Sequence, residues 1–197
     1  MRVFKTEGVR RNMGLAVAGT ALMLVVVLSM VVAADETEPT WAPPEIAKWA
    51  SPTDANVGDP VQFPIVVENP LYPPVGYSET VTWYQVIVTD VVVAEFNVTG
   101  ATIVEYEGAH SPPQVERVGN VITATLAIME PGDYFLLRIN TLLAASAESG
   151  TYVRNEARVS YYRDIDGRLG REYRSDDAQV FVGNRVMLPL VGRNFGP

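Results

Sequence analysis

The sequence predicts an all-β protein, an antiparallel β-sandwich with Greek-key connections, carried behind an apolar N-terminal segment. Three observations predict it. From residue 45 onward the apolar residues recur with a period of two or in short β-branched runs. Gly, Pro, Asn and Asp interrupt those runs roughly every ten residues, the rhythm of short strands joined by turns. No amphipathic helix of useful length is present in that region. A barrel is the alternative way to close the same strands.

At the N-terminus, Arg2, Lys5, Arg10 and Arg11 precede a run over residues 13–34 with no charge and only Thr20 and Ser29 as polar side chains. As a helix the run reaches about 33 Å, enough to cross the hydrocarbon core of a bilayer. It reads as an export signal. Val32, Ala33 and Ala34 before Asp35 suit a signal peptidase, and the length equally permits a retained membrane anchor. Either way residues 35–197 lie outside the cytoplasm, because the arginine pair stays inside. A buried core helix does not fit four cations, a long apolar run and a Pro-rich sequel. Residues 35–44 (DETEPTWAPP) are acidic, Pro-rich and without a periodic face, and read as a linker.

Eight strands are then expected, over residues 46–49, 61–68, 81–92, 102–106, 121–128, 134–142, 152–162 and 171–182. Within the fifth, Val121, Thr123, Thr125 and Ala127 should face one way and Ile122, Ala124, Leu126 and Ile128 the other. Trp83 and Tyr84 are consecutive, so one of them must point inward. The Ala-rich stretch 142–149 suits a helical turn by composition, but within a sandwich it is read as a loop. Residues 56–59 (NVGD) and 130–133 (EPGD) carry turn chemistry, and Asp166-Gly167 marks the tip of a hairpin.

Composition excludes more than it assigns. Without residues 1–34 the chain carries 11 Lys+Arg against 22 Asp+Glu, a net charge of −11, whereas a nucleic-acid surface is built from clustered cations. Zero Cys excludes disulfides, thiolate nucleophiles and Cys-ligated metals. The single histidine, His110, reads as an exposed loop residue, and its neighbour Ser111 lacks a nucleophile-elbow pattern. No catalytic residue, cofactor or metal site is assigned, and the protein is not read as an enzyme. Asp164 and Asp166 before Gly167 resemble a calcium loop, but the further ligands are missing and Arg168 and Arg171 stand beside them; a plain hairpin tip fits better. Asp176 and Asp177 read as solvated charge, and Asn97-Val98-Thr99 as a chance glycosylation triplet.

Five short motifs, in order, resemble the DUF11 domain of bacterial extracellular repeat proteins. They are Lys48 to Pro52 as a K-x-x-x-P stretch, Gly58-Asp59, a strand ending in Asn69, a strand ending in Thr89-Asp90, and the turn at 129–133 (MEPGD) leading to residues 150–159 (GTYVRNEARV). In the last, Asn155, Ala157 and Val159 fall on an N-x-A-x-V pattern. Two features depart from the family: Asn69 opens a Pro-rich loop where the family has Asn-x-Gly, and the chain holds one copy of a domain often found in tandem. The resemblance covers about residues 45–183 and implies an immunoglobulin-like sandwich of structural or adhesive role, with no catalytic residues to carry over. Residues 184–197 form a tail in which VMLPLV and Arg193-Asn194 resemble endings of exported proteins from Chloroflexota-type bacteria. Its LPLVG string lacks the threonine, apolar span and basic cluster of a sortase signal.

The charge is unevenly spread. Residues 35–150 sum to −13 and residues 151–197 to +2. Arg154, Arg158, Tyr161, Arg163, Arg171, Tyr173 and Arg174 cluster around the predicted hairpin, a composition that suits a contact face. Pairing of the same arginines with acids across the strands is the competing account. The expected partner is a second copy, or a protein or polysaccharide of the cell envelope, with membrane contact only through residues 13–34 if they are retained. The expected function is a non-enzymatic structural or adhesive module at the cell surface. The alternative is a module that binds polysaccharide or protein through Arg, Tyr and Trp side chains.

Overall fold

The computed structural model describes residues 40–183. The expected export segment 1–34, the expected linker as far as residue 39 and the expected tail 184–197 lie outside the described residues. The described chain forms ten strands and no helix: β1 (Glu45–Lys48), β2 (Asp54–Ala55), β3 (Pro60–Glu68), β4 (Trp83–Val91), β5 (Phe96–Glu107), β6 (Gln114–Val118), β7 (Val121–Met129), β8 (Tyr134–Leu143), β9 (Tyr152–Tyr162) and β10 (Arg171–Val182). Eight were expected. The additions are β2, two residues long, and β6, whose polar sequence Gln-Val-Glu-Arg-Val forms an exposed edge with little apolar signal. β5 also begins at Phe96, well before the expected residue 102.

Two sheets result, ordered β1-β3-β8-β5 and β2-β10-β9-β4-β7-β6. All but two consecutive connections cross from one sheet to the other, the exceptions being the β6–β7 and β9–β10 hairpins. Pairing is antiparallel except between β2 and β10, which run parallel, so the second sheet is mixed rather than wholly antiparallel. Each inner face supplies an alternating apolar row: Val61, Phe63, Ile65 and Val67 from β3; Phe135, Leu137 and Ile139 from β8; Ile122, Ala124 and Leu126 from β7; Val153, Ala157 and Val159 from β9. Phe63 meets Phe96 edge to face at 5.0 Å, a geometry that suits the ring quadrupoles. Without a disulfide, this packing and the strand ladders hold the domain.

The alternation breaks at one place. Gln85 has φ +47°, and the β4–β9 register shifts between Tyr84 and Ile87. This bulge lets both Trp83 and Val86 face inward, while Tyr84 stays partly exposed. On the neighbouring β7 the phase changes too: Met129 is buried and Ile128 only partly so, where strict alternation placed Ile128 in the inward row.

The turns behave alike. In 56–59 and in 130–133 the backbone N–H of the fourth residue, an Asp, donates to the first residue's carbonyl, and that Asp's carboxylate accepts from the first residue's N–H. Gly58 and Gly132 take φ of +90° and +93°. Residues 144–150 form a loop after β8, as expected.

Part of the expected linker 35–44 falls among the described residues. Residues 40–44 are already engaged: Ala42 N–H donates to the Glu79 carbonyl at 2.8 Å, Ser78 N–H donates to the Thr40 carbonyl at 2.8 Å, and Ala42 is fully buried. Their backbone bridges to the 76–79 segment while Trp41 packs against the core, contacts no local pattern announces.

Candidate functional site

The expected Arg/Tyr face does not assemble as one surface. Residues directly opposite in the β9–β10 ladder share a face, which puts Arg154, Arg158, Arg171 and Tyr173 on the outer side of the sheet. Tyr161 and Arg174 belong to the inward row with Val159. Tyr161 is corrected outright: only 1% exposed, it packs edge to face on Trp83 at 4.6 Å. Burial first, and then the Glu172 carboxylate that its hydroxyl contacts, push that hydroxyl up to about 12.

The arginines have partners nearby. Arg154 pairs with Asp177 at 2.8 Å, Arg163 with Glu172 at 2.6 Å, and Arg168 with Asp166 at 3.2 Å. Arg171 donates to Ser160 Oγ at 2.7 Å and covers the Tyr162 ring; Arg158 covers Tyr173; Arg174 donates to the Tyr77 hydroxyl. Arg163 also lies over Trp41 at 4.7 Å, fastening residues 40–42 to the hairpin. At the hairpin tip Asp164 accepts from the backbone N–H of Arg168 and Leu169, so its oxygens cap the loop. Among the described residues no group of acids or histidine is arranged to hold a metal ion. His110 is an exposed loop residue 3.3 Å from Glu130.

The chemically distinctive cluster lies in the core, on three residues that carry the sequence motifs. Lys48 ends β1, at the edge of the first sheet; Asp90 and Asn155 occupy inward positions on β4 and β9 of the second. Lys48 Nζ stands 2.6 Å from Asp90 Oδ2, and both side chains are wholly buried. Asn155 Nδ2 donates to the other carboxylate oxygen, Asp90 Oδ1, at 2.9 Å. Asn155 Oδ1 accepts the Val93 N–H at 3.2 Å, which fixes which way round the carboxamide sits. The Phe63 ring lies 5.0 Å from the amine. Lys48 N–H, on the free edge of β1, donates to Asp176 Oδ2 at 2.7 Å; Asp176 is thus a clasp between the sheets rather than solvated charge.

Burial dominates the electrostatics. It lowers the Lys48 pKa, against the attraction of Asp90 and the more distant Asp176 and Asp177. It raises the Asp90 pKa, against Lys48 and the Asn155 hydrogen bond. Both shifts favour the neutral forms, amine and carboxylic acid, because a dry interior penalises charge more than one contact repays. An uncharged amine is a nucleophile, and a carboxamide beside a proton-carrying acid is an acceptor for it. If Nζ bonds to Asn155 Cγ, the Cγ–Nδ2 bond breaks, Asp90 passes its proton to the leaving nitrogen, and it then takes the proton Nζ sheds. The products are a Lys48–Asn155 amide and ammonia. No external co-reactant is needed.

All three residues fall in the sequence motifs, where no pattern assigns them a role. The available signal was polarity in an apolar row. Asp90 interrupts Val86, Val88 and Val92, and Asn155 interrupts Val153, Ala157 and Val159. A buried polar group requires a partner.

No protein-family profile matches the sequence, and no curated protein sequence does. Solved structures do share its fold. BcpA (D312A variant), the major pilin subunit of Bacillus cereus, aligns with a TM-score of 0.51 at 18% identity, covering 71% of this chain and 40% of that one. The 35 kDa C-terminal fragment of the major pilin GBS80 of Streptococcus agalactiae aligns at 0.55 and 8%, covering 72% and 57%. The T6 backbone pilin of serotype M6 Streptococcus pyogenes aligns at 0.52 and 14%, covering 71% and 36%. The chain therefore spans between a third and three fifths of these proteins' lengths, and at such identities the likeness is one of fold: a two-sheet β-sandwich.

Proposed function

We propose that this chain is an exported structural module of a bacterial cell surface whose two sheets are joined covalently by an amide between Lys48 and Asn155. The observation that carries the proposal is the buried Lys48–Asp90–Asn155 cluster, at 2.6 and 2.9 Å. An ion pair kept only for stability is a poor use of a core, since apolar side chains of similar volume generally do as well. A cross-link between β1 and β9 instead ties the edge of one sheet to the middle of the other, which suits a module that bears load outside the cell without cysteines. Three further facts support the reading: the apolar run at 13–34 behind four cations, the absence of any cysteine, and the sandwich shared with major pilin subunits. Within it, residues 1–34 are the signal or anchor, the DUF11-like domain extends to residue 183, and residues 184–197 are a tail. The reaction occurs once within its own chain, so the protein turns over no substrate.

The adhesive side of the role rests on one end of the second sheet. The loop entering β4 and the loop leaving β9 lie together there, because Tyr84 pairs with Tyr162. They expose Leu71, Tyr72, Val75, Ile165 and Leu169. Intact-mass measurement of the exported domain, followed by sequencing of proteolytic fragments, tests the cross-link. The expected result is a mass one ammonia below that of the sequence and a branched peptide joining Lys48 to Asn155. Full sequence mass with both residues in linear peptides would refute it.

A further inference from the structure

The Lys48–Asn155 reaction needs more than its three side chains. As Nζ bonds to Asn155 Cγ, the carbonyl becomes a tetrahedral centre and Oδ1 gathers negative charge. In a buried site that charge must meet a fixed donor, and water cannot supply it. Asp90 is already committed: one oxygen faces Lys48 and the other faces Asn155 Nδ2, the leaving nitrogen. The group at Oδ1 is the Val93 backbone N–H, 3.2 Å away.

That N–H is held by an unusual arrangement. Val93 follows β4, in the short connection to β5, and Phe96 N–H closes a turn onto its carbonyl at 3.0 Å. Asn120, in the turn between β6 and β7, brackets this connection. Its carbonyl accepts Val92 N–H at 2.9 Å and its side-chain amide donates to the Phe96 carbonyl at 3.1 Å. From the other side Ala144 N–H donates to the Glu95 carbonyl at 2.7 Å. Residues 92–96 are thus clamped by Asn120 on one flank and by the β8 end on the other, a rigidity that a simple strand-to-strand connection does not require.

We propose that the Val93 N–H is the oxyanion donor for amide formation at Asn155, and that Asn120 is the positioning residue that aims it. The inference rests on the cross-linking reading above. The carboxamide is then gripped at both ends for opposite purposes: its nitrogen faces the acid that protonates it as it leaves, and its oxygen faces the donor that stabilises the charge left behind.

The test follows ammonia loss by intact mass in the full-length chain after a short pulse of cell-free synthesis, with folding followed separately by circular dichroism. Val93→Pro deletes the N–H and leaves Lys48, Asp90 and Asn155 untouched. Loss of one such donor slows a reaction by roughly a hundredfold or more. Asn120→Ala, which keeps the N–H but frees the turn, should slow it about tenfold, and it decides the matter if the proline variant does not fold. In both, the pH dependence of the rate should keep its wild-type midpoint and lose only height, because the titrating groups at the site are Lys48 and Asp90, with Asp176 facing Lys48 from β10 and Asp177 on that strand's outer face. A folded variant that cross-links at the wild-type rate, or one whose midpoint moves, overturns the assignment. A wild-type chain that never loses ammonia refutes the cross-link itself and this inference with it.

Discussion

Replacing Asn155 by alanine separates a covalent joint from an ordinary polar contact. The proposed joint would close a loop of about 107 residues in the wild type, and by chain entropy such a closure is worth about 4.8 kcal/mol at room temperature. The substitution also strips two groups of partners, the Val93 N–H and Asp90 Oδ1. Each buried orphan costs about 1–3 kcal/mol. For a chain of this size 1 kcal/mol moves the thermal midpoint by about 2–4 °C, so loss of the joint alone should lower it by about 10–20 °C, and the orphans lower it further. The assay is thermal and urea unfolding of both proteins. The urea slope discriminates, because a joint acts on the unfolded chain: the cross-linked wild type exposes less surface on unfolding, so Asn155→Ala should show the steeper slope. An unchanged slope, with a midpoint fall of less than about 5 °C, would refute the reasoning.

Other expectations concern the same core and two turns. Lys48→Met cannot form the proposed joint, so it should lose that stabilisation of about 4.8 kcal/mol, and it leaves Asp90 buried without an amine beside it. Asp90 then binds its proton more tightly folded than unfolded, so the variant should be least impaired below the ordinary carboxyl value of 3.8 and weaken as pH rises through the raised folded value. Asp90→Asn should mirror it: Lys48, with its folded pKa lowered from 10.5, gives a deficit that shrinks as pH rises toward that value and deepens as pH falls; urea midpoints across pH read both. Gly58→Ala meets nothing within 4 Å yet must adopt φ +90°, so it should cost about 1–2 kcal/mol through backbone strain, while Gly100→Ala, at ordinary φ with Asn140 4.0 Å away, should be close to neutral. Calcium should leave the melting midpoint unchanged and Asp164→Ala should not alter that, since both Asp164 oxygens already cap Arg168 and Leu169; a calcium-dependent rise lost in the variant would contradict it.

Legibility differed by the range of the interaction. The strong strands β3, β4, β7, β8, β9 and β10 were readable because alternation is local and each side chain's face follows from its place in the row. β6 was not, because an edge strand facing solvent carries no apolar row, and β2 was not, because two residues hold no period. The bulge at Gln85 escaped for a related reason: the residue is polar and ordinary, and its φ of +47° is imposed by fitting Trp83 over Tyr161. The arginines of the hairpin were legible as a cluster in sequence but not as a surface. β10's register divides them between two faces, and acids and rings adjoin most of them.

The sequence by itself determined the fold class, the placement of the turns and the chemistry available. A period of two can only be a strand with one buried face; Gly58 and Gly132 stand where positive φ is needed; and without cysteine no disulfide can form. Tertiary structure alone decided which of those groups meet. Lys48, Asp90 and Asn155 are separated by 42 and 65 residues along the chain, and no local pattern makes three polar groups neighbours. Only the packing of one sheet on the other brings amine, acid and carboxamide to 2.6 and 2.9 Å. The same burial shifts the amine and the acid toward their uncharged forms.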